Sequence, residues 1–332
     1  MQRERELAIL DRVMAHRAAG NTTDMAQDLY RNPIETYVDE ARYQAEVAQL
    51  FRGSPIVACL TADVSAAGAS TTLTIAGVSL LVVRGDDLVV RAIRKGVEVA
   101  CGELAGIVLV KVDGAPGSLD VAAWLGPDLV AEFEDLDLSS WTRFESRDRP
   151  YSINWKLMCD TFCEQYHLRH LHHASFAAHT QSDNSLYDSY GHHGRMVTPN
   201  FSIATLDGVA RPDWPLWPHV ILNYMLVPNA VLLVDKDVLQ LFQFLPEAPC
   251  RTISRVTMYT SASELDERSR LRATRYFDRL LEIIDQEDYA MCEQTQRSFA
   301  SGAQKEILFG RNEPGLIHYH RSIEALMSGA CA

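Results

Sequence analysis

Apolar residues at helical spacing (Leu7, Leu10, Val13 and Met14) predict a first helix over residues 4–18. The polar run GNTTD at 20–24 ends it, and Asn32-Pro33 interrupts the stretch that follows. A second helix is predicted over Glu40–Phe51, closed by Gly53, Ser54 and Pro55. From residue 56 the spacing changes. TTLTIAGVSLLVVRGDDLVVRAI holds two β-rich runs joined at Gly85-Asp86-Asp87, and AGIVLVKVDG supplies another, so 56–115 is predicted to be a small antiparallel sheet. Pro116-Gly117 turns the chain into an acidic, helical 118–140, and 141–150 leads into a segment from Tyr151 to about His170 whose middle reads as a helix. Residues 173–200 are polar, rich in His and Ser, and carry no period; a loop is predicted, and a loop that long inside a domain is more often functional than idle. Four strand candidates occupy 219–260 (HVILNYMLV, AVLLVD, VLQLFQFL, RTISRVTMYT), an amphipathic helix is predicted over 264–298, and a short one over 316–327. The fold class is α+β, a helix-flanked and mainly antiparallel sheet.

Composition narrows the possibilities. The 332 residues carry 31 Lys and Arg against 44 Asp and Glu, a net charge of -13, which disfavours nucleic acid and anionic membrane surfaces as partners. No apolar run approaches the roughly 18–20 residues of a membrane span. The N-terminal MQRERELAILDRVMAHR is charged and helical, unlike the apolar core of a signal peptide. Cysteines at 59, 101, 159, 163, 250, 292 and 331 are scattered and odd in number, which suggests reduced thiols and a cytoplasmic protein.

The segment Asn154–His172 concentrates groups able to bind a metal. Glu164 and His167, three apart, share a face of a helix. His167 and His172, five apart, lie roughly 140° apart around an ideal helix, so both reach one ion only where the helix ends or distorts between them. Helix running into loop near Arg169 would do that. Two imidazoles and one carboxylate suit iron with open positions, and zinc takes the same ligands. Most of the histidines between 167 and 193 are expected to be non-ligands. The carboxylate must come from elsewhere, because Glu164 is better placed to orient His167 through the imidazole's other nitrogen.

The pattern NWK-x3-DTF-x-E-x-YH-x4-H, residues 154–172, resembles the mononuclear iron motif of Rieske-type aromatic-ring-hydroxylating oxygenase α subunits. The resemblance implies a helix-grip catalytic domain, with His167 and His172 as iron ligands. It places Glu164 at the acidic position that links the iron to a neighbouring subunit's Rieske cluster. The third ligand in that family is a carboxylate on a late helix. Residues 285–296 (DQEDYAMCEQTQ) resemble that helix, with Asp288 at the ligand position and Glu287 as the alternative one residue away. The ending FGRNEPGLIHYHR (309–321) is also family-like. Thr161 stands where the family commonly has Asn, which puts any role of that amide in doubt.

One part of the family pattern is missing. Its Rieske [2Fe–2S] cluster needs Cys-x-His followed by Cys-x2-His. This chain has neither, and no histidine between His16 and His167. The runs LTIAGVSLLVVRGDDLVVRAI and CGELAGIVLVKVD resemble the strands flanking the cluster loops, yet only residues 94–100 separate them. Three regions are therefore expected: an N-terminal helical segment over 1–55, packed on the catalytic domain; a shrunken Rieske-like β domain without a cluster over 56–115; and a mononuclear iron catalytic domain over 116–332. The resemblance implies a homotrimer, or a mixed trimer with a cluster-bearing homologue, fed by a separate electron donor and acting with dioxygen on a small molecule. Two other readings stay open: a non-catalytic subunit of a mixed trimer, and a metal-dependent lyase or hydrolase without net redox chemistry. Phe162, Phe201, Trp214, Trp217, Tyr224, Leu226, Phe242 and Phe244 lie where the family builds its pocket, and suit an aromatic or alicyclic substrate. Arg195 and Arg211 are candidates to meet a substrate carboxylate.

Overall fold

The computed structural model describes residues 1–329; Cys331, one of the seven thiols, lies outside the described residues. The chain opens with α1 (Arg3–Ala18), β1 (Tyr30–Pro33), α2 (Glu35–Val38) and α3 (Glu40–Glu46), the last running into a π-turn over Val47–Arg52. Six strands follow: β2 (Ile56–Leu60), β3 (Ser70–Ile75), β4 (Val78–Arg84), β5 (Val90–Arg94), β6 (Val97–Leu104) and β7 (Ile107–Lys111). They form one antiparallel sheet in the order β2-β7-β6-β5-β4-β3. Three of its turns, Ala76-Gly77, Lys95-Gly96 and Ala105-Gly106, have positive φ at both residues. That geometry matches the twist of the strands it joins. Lys95-Gly96 is the whole connection between β5 and β6, at the place where the resemblance calls for cluster loops.

Next come α4 (Val121–Leu125), α5 (Pro127–Asp135), β8 (Thr142–Tyr151), α6 (Trp155–Asp160) and α7 (His167–His170). The strands β9 (Leu186–Tyr190), β10 (His193–Pro199), β11 (Val220–Leu226), β12 (Ala230–Val234), β13 (Val238–Ala248) and β14 (Arg251–Thr260) complete a seven-stranded antiparallel sheet, β8-β14-β13-β12-β11-β10-β9. The chain ends with α8 (Glu267–Ile283), a π-turn over Ile284–Tyr289, α9 (Ala290–Ala300), β15 (Glu306–Phe309), which pairs with β1, and α10 (Pro314–Ser328).

Three strands depart from expectation. β8 occupies 142–151, read only as a lead-in, and β9 and β10 occupy most of the predicted loop. β8 and β9 are the two edges of the large sheet, so neither shows a clean apolar alternation. β10 is buried along its whole length, but HGRMVTP contains too few apolar residues to announce a strand. The long helix predicted over 264–298 is interrupted by the π-turn.

The large sheet is covered on both faces. Leu222, Tyr224, Leu232, Val234, Leu239 and Leu241 pack with Ile9, Leu10 and Val13 of α1 and with Leu129 and Phe133 of α5. Alternate residues, Met225, Val231, Phe242 and Phe244 among them, point the other way, into a core shared with α6, α8 and α10 and continuous with the small sheet. The site forms on this second face. Among the described residues, no helix is long and apolar enough to cross a membrane.

Buried His193 bridges the two cores, between Trp124 on one and Val227 in the other. Its Nε2 donates to the Trp124 carbonyl (3.1 Å) and its Nδ1 accepts from the Val227 N–H (3.1 Å), so the ring must be neutral. Burial accordingly lowers its pKa to about 4. A histidine depressed below its unfolded value, about 6.5, withdraws stability as pH falls from that value towards about 4. The shift is worth about 3 kcal/mol as an upper figure. Denaturant midpoints at pH 7, 5.5 and 4 are expected to fall less steeply for His193→Gln than for the parent. Parallel slopes would mean that this ring does not titrate with unfolding.

Candidate metal centre

The Asn154–Asp160 part of the motif is structural. Asn154 caps α6, its Oδ1 accepting from the Lys156 N–H (3.0 Å), while its own N–H donates to Gln296 Oε1 (2.8 Å). Trp155 Nε1 (2.9 Å) and Lys156 Nζ (2.7 Å) both donate to Glu46 Oε2, fully buried, which ties α3 to α6. Asp160 accepts from the Tyr37 hydroxyl (2.6 Å) and from His320 Nε2 on α10 (2.9 Å). These anchors hold the turn after α6, where Phe162 and Cys163 leave the helix. α10 presses on that turn through Gly315, since a Cβ there would stand 2.4 Å from the Cys163 carbonyl oxygen. The chain then restarts as the single-turn α7 at His167 and ends it at His170, so His172 emerges from a different direction.

That break brings the two histidines together. Their rings lie 5.3 Å apart, centroid to centroid, and one ligand atom each from His167, His172 and Asp288 all fall within 4.8 Å of one another. Asp288 Oδ1 stands 3.0 Å from His172 Nε2 and 3.7 Å from His167 Nε2. Each imidazole is held from behind at Nδ1: His167 by Glu164 Oε1 (2.5 Å), His172 by Glu287 Oε2 (2.5 Å), and Glu287 in turn accepts from the Ser175 hydroxyl (2.7 Å). A carboxylate at Nδ1 keeps the proton there and turns the Nε2 lone pair towards the shared centre. Burial opposes charge on His172, but Asp288 and Glu287 outweigh it and raise the pKa of that ring.

The π-turn over Ile284–Tyr289 delivers both carboxylates. Consecutive helical residues differ by about 100°, so Glu287 and Asp288 embrace opposite edges of the same imidazole. π-turns inside longer helices are common at functional sites for this kind of re-aiming. Glu287, read from sequence only as the alternative ligand, lies on the far side of His172 from the centre. Its role as an orienting partner was missed, although its place beside Asp288 was the available signal.

A cavity of about 150 Å³ opens beside the three ligand atoms. Phe162 and Phe242, whose rings lie 4.8 Å apart, form part of its wall, and Thr161 reaches it with its hydroxyl donating to the Met158 carbonyl (2.8 Å). The other expected wall residues lie elsewhere. Tyr224 and Leu226 face the opposite side of the sheet, Tyr224 with its hydroxyl on Glu132 (2.6 Å), and Trp214 and Trp217 pack on that same second core. Phe201 is exposed, and Phe244 is buried in the core away from the wall. Arg195 is engaged by buried Glu132 and by Asp188 (2.7 Å), and Arg211 pairs with Asp11 on the surface, so neither meets the cavity. Residues that line it without having been singled out include Gln165, Asn223, Asp235, Gln240 and Tyr276. Asn223 had a visible signal, as a lone amide inside an otherwise apolar strand.

A helix-flanked antiparallel sheet with two histidines and one carboxylate converging beside a pocket is an arrangement able to hold a single metal ion next to a bound small molecule. Residues 138–329 match the family model described as the ring hydroxylating alpha subunit catalytic domain. The chain belongs to this family, whose catalytic domains are non-haem iron oxidoreductases. Among solved structures, the quaternary ammonium Rieske monooxygenase CntA in complex with L-carnitine is similar at 15% identity and a TM-score of 0.72, over 92% of this chain and 96% of that one. Naphthalene 1,2-dioxygenase from Rhodococcus sp., bound to indole, is similar at 10% identity and a TM-score of 0.71, over 96% of each chain. At such identities the likeness shows the fold alone. No curated protein matches the sequence.

Proposed function

We propose that the chain is the iron-bearing component of an oxygenase that acts on a small aromatic or alicyclic molecule and receives electrons from a separate Rieske-bearing protein. One observation carries the reading: His167 Nε2, His172 Nε2 and an Asp288 carboxylate oxygen share one centre, and both Nδ1 atoms are held by carboxylates. This donor set fits a divalent iron with open positions. When bound, ferrous iron supplies the dioxygen chemistry that no side chain can perform.

The protein's own part is positioning. Glu164 and Glu287 hold the imidazoles in one tautomer, Phe162 and Phe242 seat the substrate beside the centre, and the surrounding apolar wall limits water. Glu164, beside His167, is the entry point for electrons from that partner, either a cluster-bearing homologue in a mixed trimer or a reductase that carries a Rieske domain. The sequence of residues 56–150 supports a partner: Cys59 and Cys101 are the only thiols in that span, and it has no histidine to complete a Rieske site.

Metal analysis together with an ultraviolet–visible spectrum of the purified chain tests this reading. The expected result is about one iron per chain, following from one donor set, without [2Fe–2S] absorption, and turnover only when a cluster-bearing partner is added. Tight zinc with activity under nitrogen would replace it with the lyase or hydrolase reading. Iron-free protein that still supports a partner's activity would replace it with the non-catalytic subunit.

A further inference from the structure

Asn223 is buried on β11, its Nδ2 donating to the Phe162 carbonyl (2.7 Å). That bond fixes the amide's orientation and leaves Oδ1, also buried, with no partner among the described residues. Gln165, equally buried, is tied by its amide to the Thr198 hydroxyl, and its Oε1 likewise has no partner among the described residues. Both residues line the cavity beside the histidines. A buried acceptor without a donor is costly, so native structures rarely leave one idle unless something occupies the site.

The register explains how the amide comes to be there. Asn223 pairs with Leu233, and Leu233 with Gln240, so the three form one transverse row across β11, β12 and β13. Residues two apart, Ile221, Asp235 and Phe242, extend the same face and also line the cavity. The row presents the Asn223 amide at one end and the Gln240 amide at the other, with Leu233 between them. Asp235 and the Tyr276 hydroxyl, which receives Gln240 Nε2 at 3.0 Å, add polar groups to the same wall. Among the described residues, no lysine or arginine lines the cavity, whereas Glu164, Asp235 and Asp288 do. Such a wall cannot neutralise a carboxylate.

We infer that Asn223 is the specificity-determining residue of this pocket, and that the substrate is a compact apolar molecule carrying an N–H or O–H donor, neutral or cationic, rather than a hydrocarbon or an anion. The inference rests on the oxygenase reading for calling the occupant a substrate, but the recognition is a property of the pocket alone. The donor group hydrogen-bonds to Asn223 Oδ1 while the apolar body lies against Phe162 and Phe242. An analogue without the donor leaves the acceptor desolvated and unpaired, so discrimination of roughly tenfold or more is expected.

Calorimetric titration of metal-free protein tests this without activity. Benzylamine and benzyl alcohol are expected to bind roughly tenfold or more tightly than toluene, with benzoate weakest. Asn223→Leu should bring benzyl alcohol down to the level of toluene, and Asn223→Asp should restore binding of benzylamine in particular. If Asn223→Leu does not fold, Gln165→Leu and the toluene comparison in the parent carry the test. Toluene or benzoate binding as tightly as the donors in the parent overturns the inference, and so does an unchanged preference in folded Asn223→Leu. Iron analysis failing while the donor preference persists would sink the oxygenase reading and leave the pocket assignment standing.

Discussion

Replacing Asp288 by alanine is expected to take the iron of the purified protein from about one per chain to near zero and to abolish turnover with any electron donor. Asp288 supplies the carboxylate of the centre, and two imidazoles alone hold ferrous iron weakly. The neighbouring Glu287 cannot take over, because its carboxylate is 2.5 Å from His172 Nδ1, on the edge of the ring facing away from the shared centre. Glu287→Ala should therefore weaken iron by roughly ten- to a hundredfold, the usual effect of removing a group that orients a metal-bound histidine. Iron and activity would be followed together by metal analysis and oxygen consumption, with circular dichroism to establish folding. A folded Asp288→Ala protein that keeps its iron while Glu287→Ala loses it would exchange the two roles.

Glu164→Gln is expected to retain iron and to lose turnover by roughly a hundredfold. The glutamine carbonyl can still accept the proton of His167 Nδ1, so the ring keeps its orientation and the centre keeps its geometry. What the substitution removes is the negative charge beside the imidazole, at the point proposed for electron entry from a partner subunit. Single-turnover experiments with chemically reduced protein separate the two contributions: reduced enzyme should react nearly as well as the parent, and only steady-state turnover should suffer. Full steady-state turnover in Glu164→Gln would remove this residue from the electron route.

The two candidate ligand histidines were legible because one continuous segment, 154–172, holds both of them together with their structural anchors. Asn154, Trp155, Lys156 and Asp160 owe their places to local demands: a helix cap, a buried ion pair with Glu46, and hydrogen bonds from Tyr37 and His320. Asp288 was legible only through family resemblance, since a carboxylate on a charged amphipathic helix is unremarkable by itself. Its geometry depends on a π-turn that no spacing rule indicated.

The pocket was the least legible part. Along a strand, period-two alternation separates Asn223 from Tyr224, but it does not say which face meets the metal. Aromatic character favoured Tyr224, and packing of α1 and α5 against that face claimed it for a second core. Trp214, Trp217 and Phe201 misled for the same reason: proximity in sequence to the wall strands does not decide on which side of the sheet a loop returns.

What the chain determined by itself is therefore local: the antiparallel strands of the small sheet and the four central strands β11 to β14 of the large one, the helix ending between two histidines, and the lack in residues 56–150 of the thiol and imidazole spacing that an iron–sulfur cluster needs. The tertiary structure alone decided which sheet face carries the site, which of two adjacent carboxylates points at the shared centre, and that Arg195 and Arg211 are committed to other acids. The reason is physical: alternation and spacing are properties of a segment, whereas a face, a partner and a direction exist only once distant segments have packed against one another.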